Sequence, residues 1–212
     1  MNILLAAGGP ISNWPEIEEH YDFYVGIDRG SLFLHQKGLP LDIAIGDFDS
    51  LNAQERENIF NSAERVVTSP AEKDNTDTQL ALELILKEQP NANVTVVGST
   101  GGRIDHFLAN FWLVLEPRFR KYSQNICLKD KQNTISFLLP GNHTVTKEMD
   151  KKYLAYCCLT PVSELTLAKS KYILDKQEVL YPTSYASNEF IDDYANVSFS
   201  KGIVAVIQSK DA

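Results

Sequence analysis

Short runs of apolar, mostly branched residues recur through the first 125 or so positions, at 2–7, 23–27, 43–45, 65–67 and 94–97, with helix-like stretches between them. Runs so short and so uniformly apolar suit strands buried on both faces. Strands alternating with helices predict an α/β domain with a mostly parallel sheet and right-handed crossovers. Ligands of such sheets collect at the carboxyl ends of the strands. The clearest helical pattern spans 76–89. Leu80, Leu84 and Ile85 form its apolar stripe, Asn75 or Thr76 can cap its start, and Pro90 stops it. Another helix is expected near Asp105, and the apolar stretch 107–115, interrupted by Asn110, reads as a buried helix.

The texture changes near residue 130. Strand patterns follow at 134–138, 153–159, 165–167, 196–199 and 203–207, and no long helical period remains. Pro140-Gly141-Asn142 and Ser200-Lys201-Gly202 read as hairpin turns. The expected organisation is an α/β domain over 1–129 and an all-β domain over 130–212, with 129–133 as the junction. A length of 212 residues accommodates both.

Charge narrows the partners. The balance of 20 basic against 28 acidic residues, net −8, leaves no electrostatic footprint for nucleic acid or an anionic membrane. A phosphate ligand would need something to offset the repulsion. The start of the chain has no basic n-region, and its apolar stretch is too short for a signal peptide or a span, so no membrane association is expected. Three cysteines, Cys127, Cys157 and Cys158, are odd in number, and two are adjacent. This favours a reducing compartment, the cytoplasm, over a disulfide framework.

Polar clusters stand at the predicted strand ends. Gly46-Asp47-Phe48-Asp49-Ser50 places two carboxylates one residue apart after an apolar strand. Asp47 and Asp49 can converge on one hard cation, and carboxylate oxygens suit Mg²⁺ with bound phosphate; the same pattern also fits a turn with Asx caps. Glu72-Lys73-Asp74-Asn75-Thr76-Asp77 opens the 76–89 helix. Asp77 can supply a third carboxylate and Lys73 can face a phosphate oxygen, although acids at a helix start are also ordinary dipole partners. Gly98-Ser99-Thr100-Gly101-Gly102-Arg103-Ile104-Asp105-His106 lies at another strand-to-helix junction. Its glycines let backbone approach a phosphate and Arg103 adds a bidentate donor, while Asp105 also fits an N-cap role and His106 a plain polar helix start. Asp28-Arg29-Gly30 repeats the theme at the second strand, and Ser187-Asn188-Glu189-Phe190 lies in a polar run with aromatics that reads as either a heterocycle contact or a loop.

In this order, these segments resemble the thiamine pyrophosphokinase family in its bacterial form, and they span nearly the whole chain. The resemblance implies an α/β domain that carries ATP and magnesium, then a β-sandwich. The implied activity is transfer of a pyrophosphoryl group from ATP to the hydroxyethyl oxygen of thiamine, giving thiamine diphosphate and AMP. Asp47, Asp49 and Asp77 match the family's magnesium ligands, and Asp74 or a metal-bound carboxylate can accept the alcohol proton. The segment with Gly46, Asp28 and Arg29, together with Ser99, Thr100, Gly101, Gly102, Arg103, Asp105 and His106, matches the part that holds the nucleotide. Ser187 and Asn188 match residues that bind the aminopyrimidine. The family also implies a homodimer with active sites between subunits. The position of Lys73 is glutamine in animal members.

Two other readings compete. A haloacid-dehalogenase-like phosphatase also uses an Asp-x-Asp pair but needs it near the first strand, which here ends in Gly8-Gly9. A non-catalytic binder of nucleotide or thiamine predicts binding without Mg²⁺ or turnover.

Overall fold

The computed structural model describes residues 1–69 and 75–211. The chain forms two compact units, 1–131 and 132–212.

The first unit runs β1 (Asn2–Ala6), β2 (Phe23–Ile27), α1 (Arg29–Gln36), β3 (Ile43–Gly46), α2 (Ala53–Ser62), β4 (Arg65–Thr68), α3 (Asp77–Glu88), β5 (Asn93–Val97), α4 (Ile104–Trp112), α5 (Pro117–Arg120) and β6 (Ile126–Lys129). Its strands pair in parallel in the order β4-β3-β2-β1-β5-β6. Successive strands are added on one side of β1 as far as β4, and then on the other side from β5. The order therefore reverses between β1 and β5, where an open α/β sheet opens a crevice at its carboxyl edge. Ile3, Leu4, Leu5 and Ala6 of β1 are all buried, as a central strand covered on both faces requires.

Caps explain where the helices begin. Thr76 accepts the Gln79 N–H while the Gln79 side chain returns to the Thr76 N–H, a complete capping box that starts α3 one residue before Asp77. Asn52 and Glu55 do the same for α2. At α4 the sequence reading is corrected twice. Arg103, not Asp105, occupies the N-cap position, and the helix is only half buried, with Ile104 74% and Trp112 50% exposed. The apolar run 107–115 fills one face and then tightens into a 3₁₀ turn at Leu113–Leu115.

The second unit contains β7 (Asn133–Leu138), β8 (Gly141–Thr146), β9 (Tyr153–Cys158), β10 (Val162–Ala168), β11 (Leu174–Val179), β12 (Thr183–Glu189), β13 (Tyr194–Phe199) and β14 (Val204–Ser209). These form two antiparallel sheets, β12-β9-β14-β7 and β11-β10-β13-β8. Leu154, Tyr156 and Val206 from the first pack with Leu165, Val197 and Phe199 from the second in one core, so the unit is a β-sandwich. Both turns read as hairpins are instead crossings between sheets. β7 pairs with β14 while β8 pairs with β13, and the 200–202 turn likewise links strands of different sheets. Turn chemistry marks where the chain reverses but not which strand receives it. Cys157 and Cys158 do point to opposite faces, and burial pushes the Cys158 thiol up to about 11. None of the three cysteines is joined in a disulfide.

Two predictions follow from this packing. A Cβ on Gly30 would stand 2.0 Å from the Ala6 carbonyl oxygen, backbone against backbone, where α1 crosses β1. Gly30→Ala is expected to lose about 1–3 kcal/mol in urea unfolding, the scale of forced overpacking. In the sandwich, Lys210 and Lys151 donate to Asp150 at 2.7 and 3.0 Å and hold its carboxyl below the ordinary range. A carboxyl with a lowered folded pKa stabilises above its unfolded pKa, and that contribution disappears as pH falls through the folded value. The melting temperatures of wild type and Asp150→Asn should therefore differ at neutral pH and converge as the pH falls below the ordinary carboxylate range.

Candidate active site

At the carboxyl edge of the parallel sheet lies a cleft of about 520 Å³. It has an acidic side and a glycine-rich side. Asp28 after β2, Asp49 after β3 and Asp77 at the head of α3 face it from one set of strand ends. Gly8-Gly9-Pro10 after β1 and Gly98, Ser99, Thr100 and Gly102 after β5 face it from the other, joined by Arg103, His106 and Asn110 of α4.

The acidic side is built on a close approach of two strand ends. Asp28 Oδ1 accepts the Phe48 N–H at 3.0 Å, and both residues have positive φ, 46° and 58°. Backbone held this way by its surroundings stores strain, a pattern that clusters at functional sites. Gly46 permits the contact, since a Cβ there would sit 1.8 Å from Asp28 Oδ1. Phe48 is 1% exposed and meets Phe60 edge-on, so the apolar residue between the two acids anchors the loop inward. Asp47 Oδ1 takes the Asp49 N–H at 3.0 Å, and Arg56 donates to the Asp47 carbonyl. Asp47 thus braces the turn that presents Asp49. Ser69 donates to Asp77 Oδ1 at 3.1 Å.

On the other side, Ala7 N–H bonds Val97 O and Gly9 N–H bonds Gly98 O, which zips the ends of β1 and β5 together. A clamp beneath holds the turn. Thr100 Oγ1 donates to the buried Asp130 at 2.5 Å and accepts from Asn13 Nδ2 at 3.0 Å. Gly101 has φ +77°, and a Cβ there would meet Asn13 Nδ2 at 2.5 Å. Arg103 grips Asp105 through Nε and Nη2 at 3.1 and 2.5 Å, and this hydrogen bonding holds the Asp105 carboxyl below its ordinary range.

Of the residues singled out from sequence, Asp28, Arg29, Asp49, Asp77, Ser99, Thr100, Gly102, Arg103 and His106 line this cleft. Gly46, Asp47, Gly101 and Asp105 do not line it. Lys73 and Asp74 lie outside the described residues. Ser187 and Asn188 belong to β12, where the pairing with β9 slips between Tyr185 and Asn188 and Ser187 takes φ 60°. Ser187 is exposed, whereas Asn188 is 2% exposed and its amide is fully engaged. It accepts from Tyr172 N–H and Glu189 N–H and donates to Tyr172 O and Ser170 Oγ. Sequence reasoning missed Gly8-Gly9-Pro10, Asn110, Asn13 and Asp130. The first carries the same strand-end glycine signal as the others. Asn13 and Asp130 come from opposite ends of the unit and carry no local signal.

The donor chemistry of the acidic side fits Mg²⁺. Among the described residues no three His, Cys, Asp or Glu gather closely enough to enclose a metal. Mg²⁺ does not need such a cage, because it keeps waters and binds through one or two carboxylates plus substrate phosphates.

An open parallel α/β unit with a carboxyl-edge cleft, acidic on one side and glycine-rich on the other, followed by a β-sandwich, defines a two-unit protein of phosphate-ligand type. The sequence model of the thiamin pyrophosphokinase catalytic domain matches residues 14–128, and that of the thiamin pyrophosphokinase vitamin B1 binding domain matches residues 142–204. A curated thiamine pyrophosphokinase from Bacillus subtilis (strain 168) is 37% identical, covering 99% of both chains. The crystal structure of a thiamin pyrophosphokinase family protein from Enterococcus faecalis is 56% identical and superposes with a TM-score of 0.98 over 100% of both chains. Thiamin pyrophosphokinase from Candida albicans, at 15% identity, has the same fold, with a TM-score of 0.79 over 99% of this chain and 89% of its own. The chain belongs to the thiamin pyrophosphokinase family.

Asn188 yields a prediction of its own. Because its amide holds the 170–172 segment against β12, Asn188→Ala should lower the stability of the sandwich by about 1–3 kcal/mol in urea unfolding, the cost of leaving buried partners unmet.

Proposed function

We propose that this chain is a thiamine pyrophosphokinase that transfers the pyrophosphoryl group of ATP to the hydroxyl of thiamine, releasing AMP and thiamine diphosphate. The observation that carries the reading is the meeting of Asp28, Asp49 and Asp77 with the glycine-rich turn and Arg103 in one cleft. Transfer to phosphorus depends mainly on positioning and on stabilising charge around the phosphates. Asp49 and Asp77 would hold a magnesium ion, with Asp47 fixing the turn that carries Asp49; when bound, the ion would supply positive charge that offsets the phosphates. Gly98–Gly102 backbone and Arg103 meet the nucleotide on the opposite side, and Asp105 orients the Arg103 guanidinium. Lys73 is proposed to face a phosphate oxygen, and Asp74 or a metal-bound carboxylate to accept the alcohol proton. Ser187 contacts the aminopyrimidine of thiamine, and Asn188 fixes the backbone that displays it. The enzyme works as a homodimer in the cytoplasm, a setting that suits three thiols not joined in disulfides. Among the described residues no helix is long and apolar enough to cross a membrane.

Purified protein supplied with thiamine, ATP and Mg²⁺ should form AMP and thiamine diphosphate in equal amounts, and chelation by EDTA should stop it; ADP as the sole product overturns the proposal. Asp49→Ala is expected to lose about a hundredfold in kcat with an unchanged melting temperature, the scale of losing one electrostatic stabiliser. Activity near that of wild type removes Asp49 from the site.

A further inference from the structure

Ser99 and Thr100, neighbouring hydroxyls of the glycine-rich turn, both line the cleft but are in opposite states. Thr100 Oγ1 already donates to Asp130 and accepts from Asn13, so its capacity is spent inside the protein. Ser99 is 5% exposed, and its Oγ has no partner among the described residues. A buried hydroxyl left unmatched is costly, and an acceptor arriving in the cleft removes that cost.

Asn110 stands beside it. This residue of α4 is 7% exposed, lines the same cleft, and reaches the Ser99 carbonyl through Nδ2 at 3.5 Å. An amide has two N–H donors, and this long contact uses one. His106, one turn earlier on α4, and Arg103, at its head, complete this wall. No carboxylate lines the cleft from this turn or from α4, because Asp105 is turned to Arg103 and the lining acids Asp28, Asp49 and Asp77 all come from the β2, β3 and α3 segments. The amino end of α4 adds a preference for negative charge.

We infer that Ser99 Oγ and Asn110 Nδ2 form an uncharged seat for a phosphate oxygen of the nucleotide, a reading that rests on the proposed reaction and specifies which part of ATP the turn receives. Neutral donors suit a buried seat, because a fixed buried charge would be exposed to its full desolvation cost whenever the ligand left. Arg103, its side chain largely exposed, supplies the cationic contact nearer solvent. The two hydroxyls then have separate tasks, with Thr100 holding the turn and Ser99 binding the ligand.

Calorimetric titration of the full chain with ATP and with inorganic tripolyphosphate, each with Mg²⁺, tests this alongside thermal melting and the AMP assay. Ser99→Ala should melt at or above the wild-type temperature, because its hydroxyl had no internal partner, yet bind both ligands about tenfold more weakly, as loss of a hydrogen bond to a charged group predicts. Thr100→Val should instead melt lower. Asn110→Asp, which sets a carboxylate against the phosphate, should weaken both ligands more than Ser99→Ala does. Unchanged tripolyphosphate affinity in Ser99→Ala overturns the inference, as does a loss seen with ATP alone. A drop in Ser99→Ala melting as large as that of Thr100→Val also overturns it. Tripolyphosphate binding by a wild type that makes no AMP counts against the proposed reaction and for the seat.

Discussion

Parallel pairing around β1 is the constraint on which the first unit depends. With β2 on one side of it and β5 on the other, every carboxyl end in the sheet points the same way. The described residues that follow these strands are therefore brought to one edge. Gly8 and Gly9 emerge beside Gly98, Asp28 emerges beside Gly46, and Asp77 follows from β4. The hydrogen bond from Gly9 N–H to Gly98 O and the one from Phe48 N–H to Asp28 Oδ1 are local expressions of that geometry. Strand ends fix where such groups emerge, and preorganised groups need no rearrangement when charge develops.

The division of the cleft also resolves the charge balance. A net charge of −8 disfavours a polyanion at long range, yet the acids that meet the cleft are gathered on one side of it. A divalent cation held there, as the proposed reaction requires, would change the local sign, and the donors of the β5–α4 side would receive what the cation does not. The acidity of the chain and its affinity for a phosphate ligand are then parts of one arrangement. Asp47 and Asp105 belong to this arrangement in a supporting way, one bracing its own turn and the other gripping a guanidinium.

The sandwich follows a different logic. Its strands are held by two inner faces interdigitating, so its outer strands β8, β11 and β12 carry polar sequences and much exposed surface. A polar run such as 183–189 therefore looks like a loop when read as sequence, although it pairs with β9 over most of its length. The slip in that pairing presents Ser187 outward, while the buried amide of Asn188 ties the neighbouring segment in place.

How much was legible from sequence varies by physical cause. β1 to β5, the helix at 77–88 and the strand-end clusters could be read because burial on both faces, capping chemistry and glycine at tight turns leave local signatures. The outer strands β8, β11 and β12 of the sandwich could not, since their hydrogen bonds are supplied by a partner strand rather than by their own apolar pattern. Sequence by itself determined the α/β-then-β order, the acidic and glycine-rich strand ends, and the family to which the chain belongs. Tertiary structure alone decided which hydroxyl of Ser99 and Thr100 is spent, that Asn13 and Asp130 clamp the turn, that Asp49 rather than Asp47 faces the cleft, and that two apparent hairpins cross between sheets. Each of these depends on a contact between residues distant along the chain, and local residue pattern does not encode the partner.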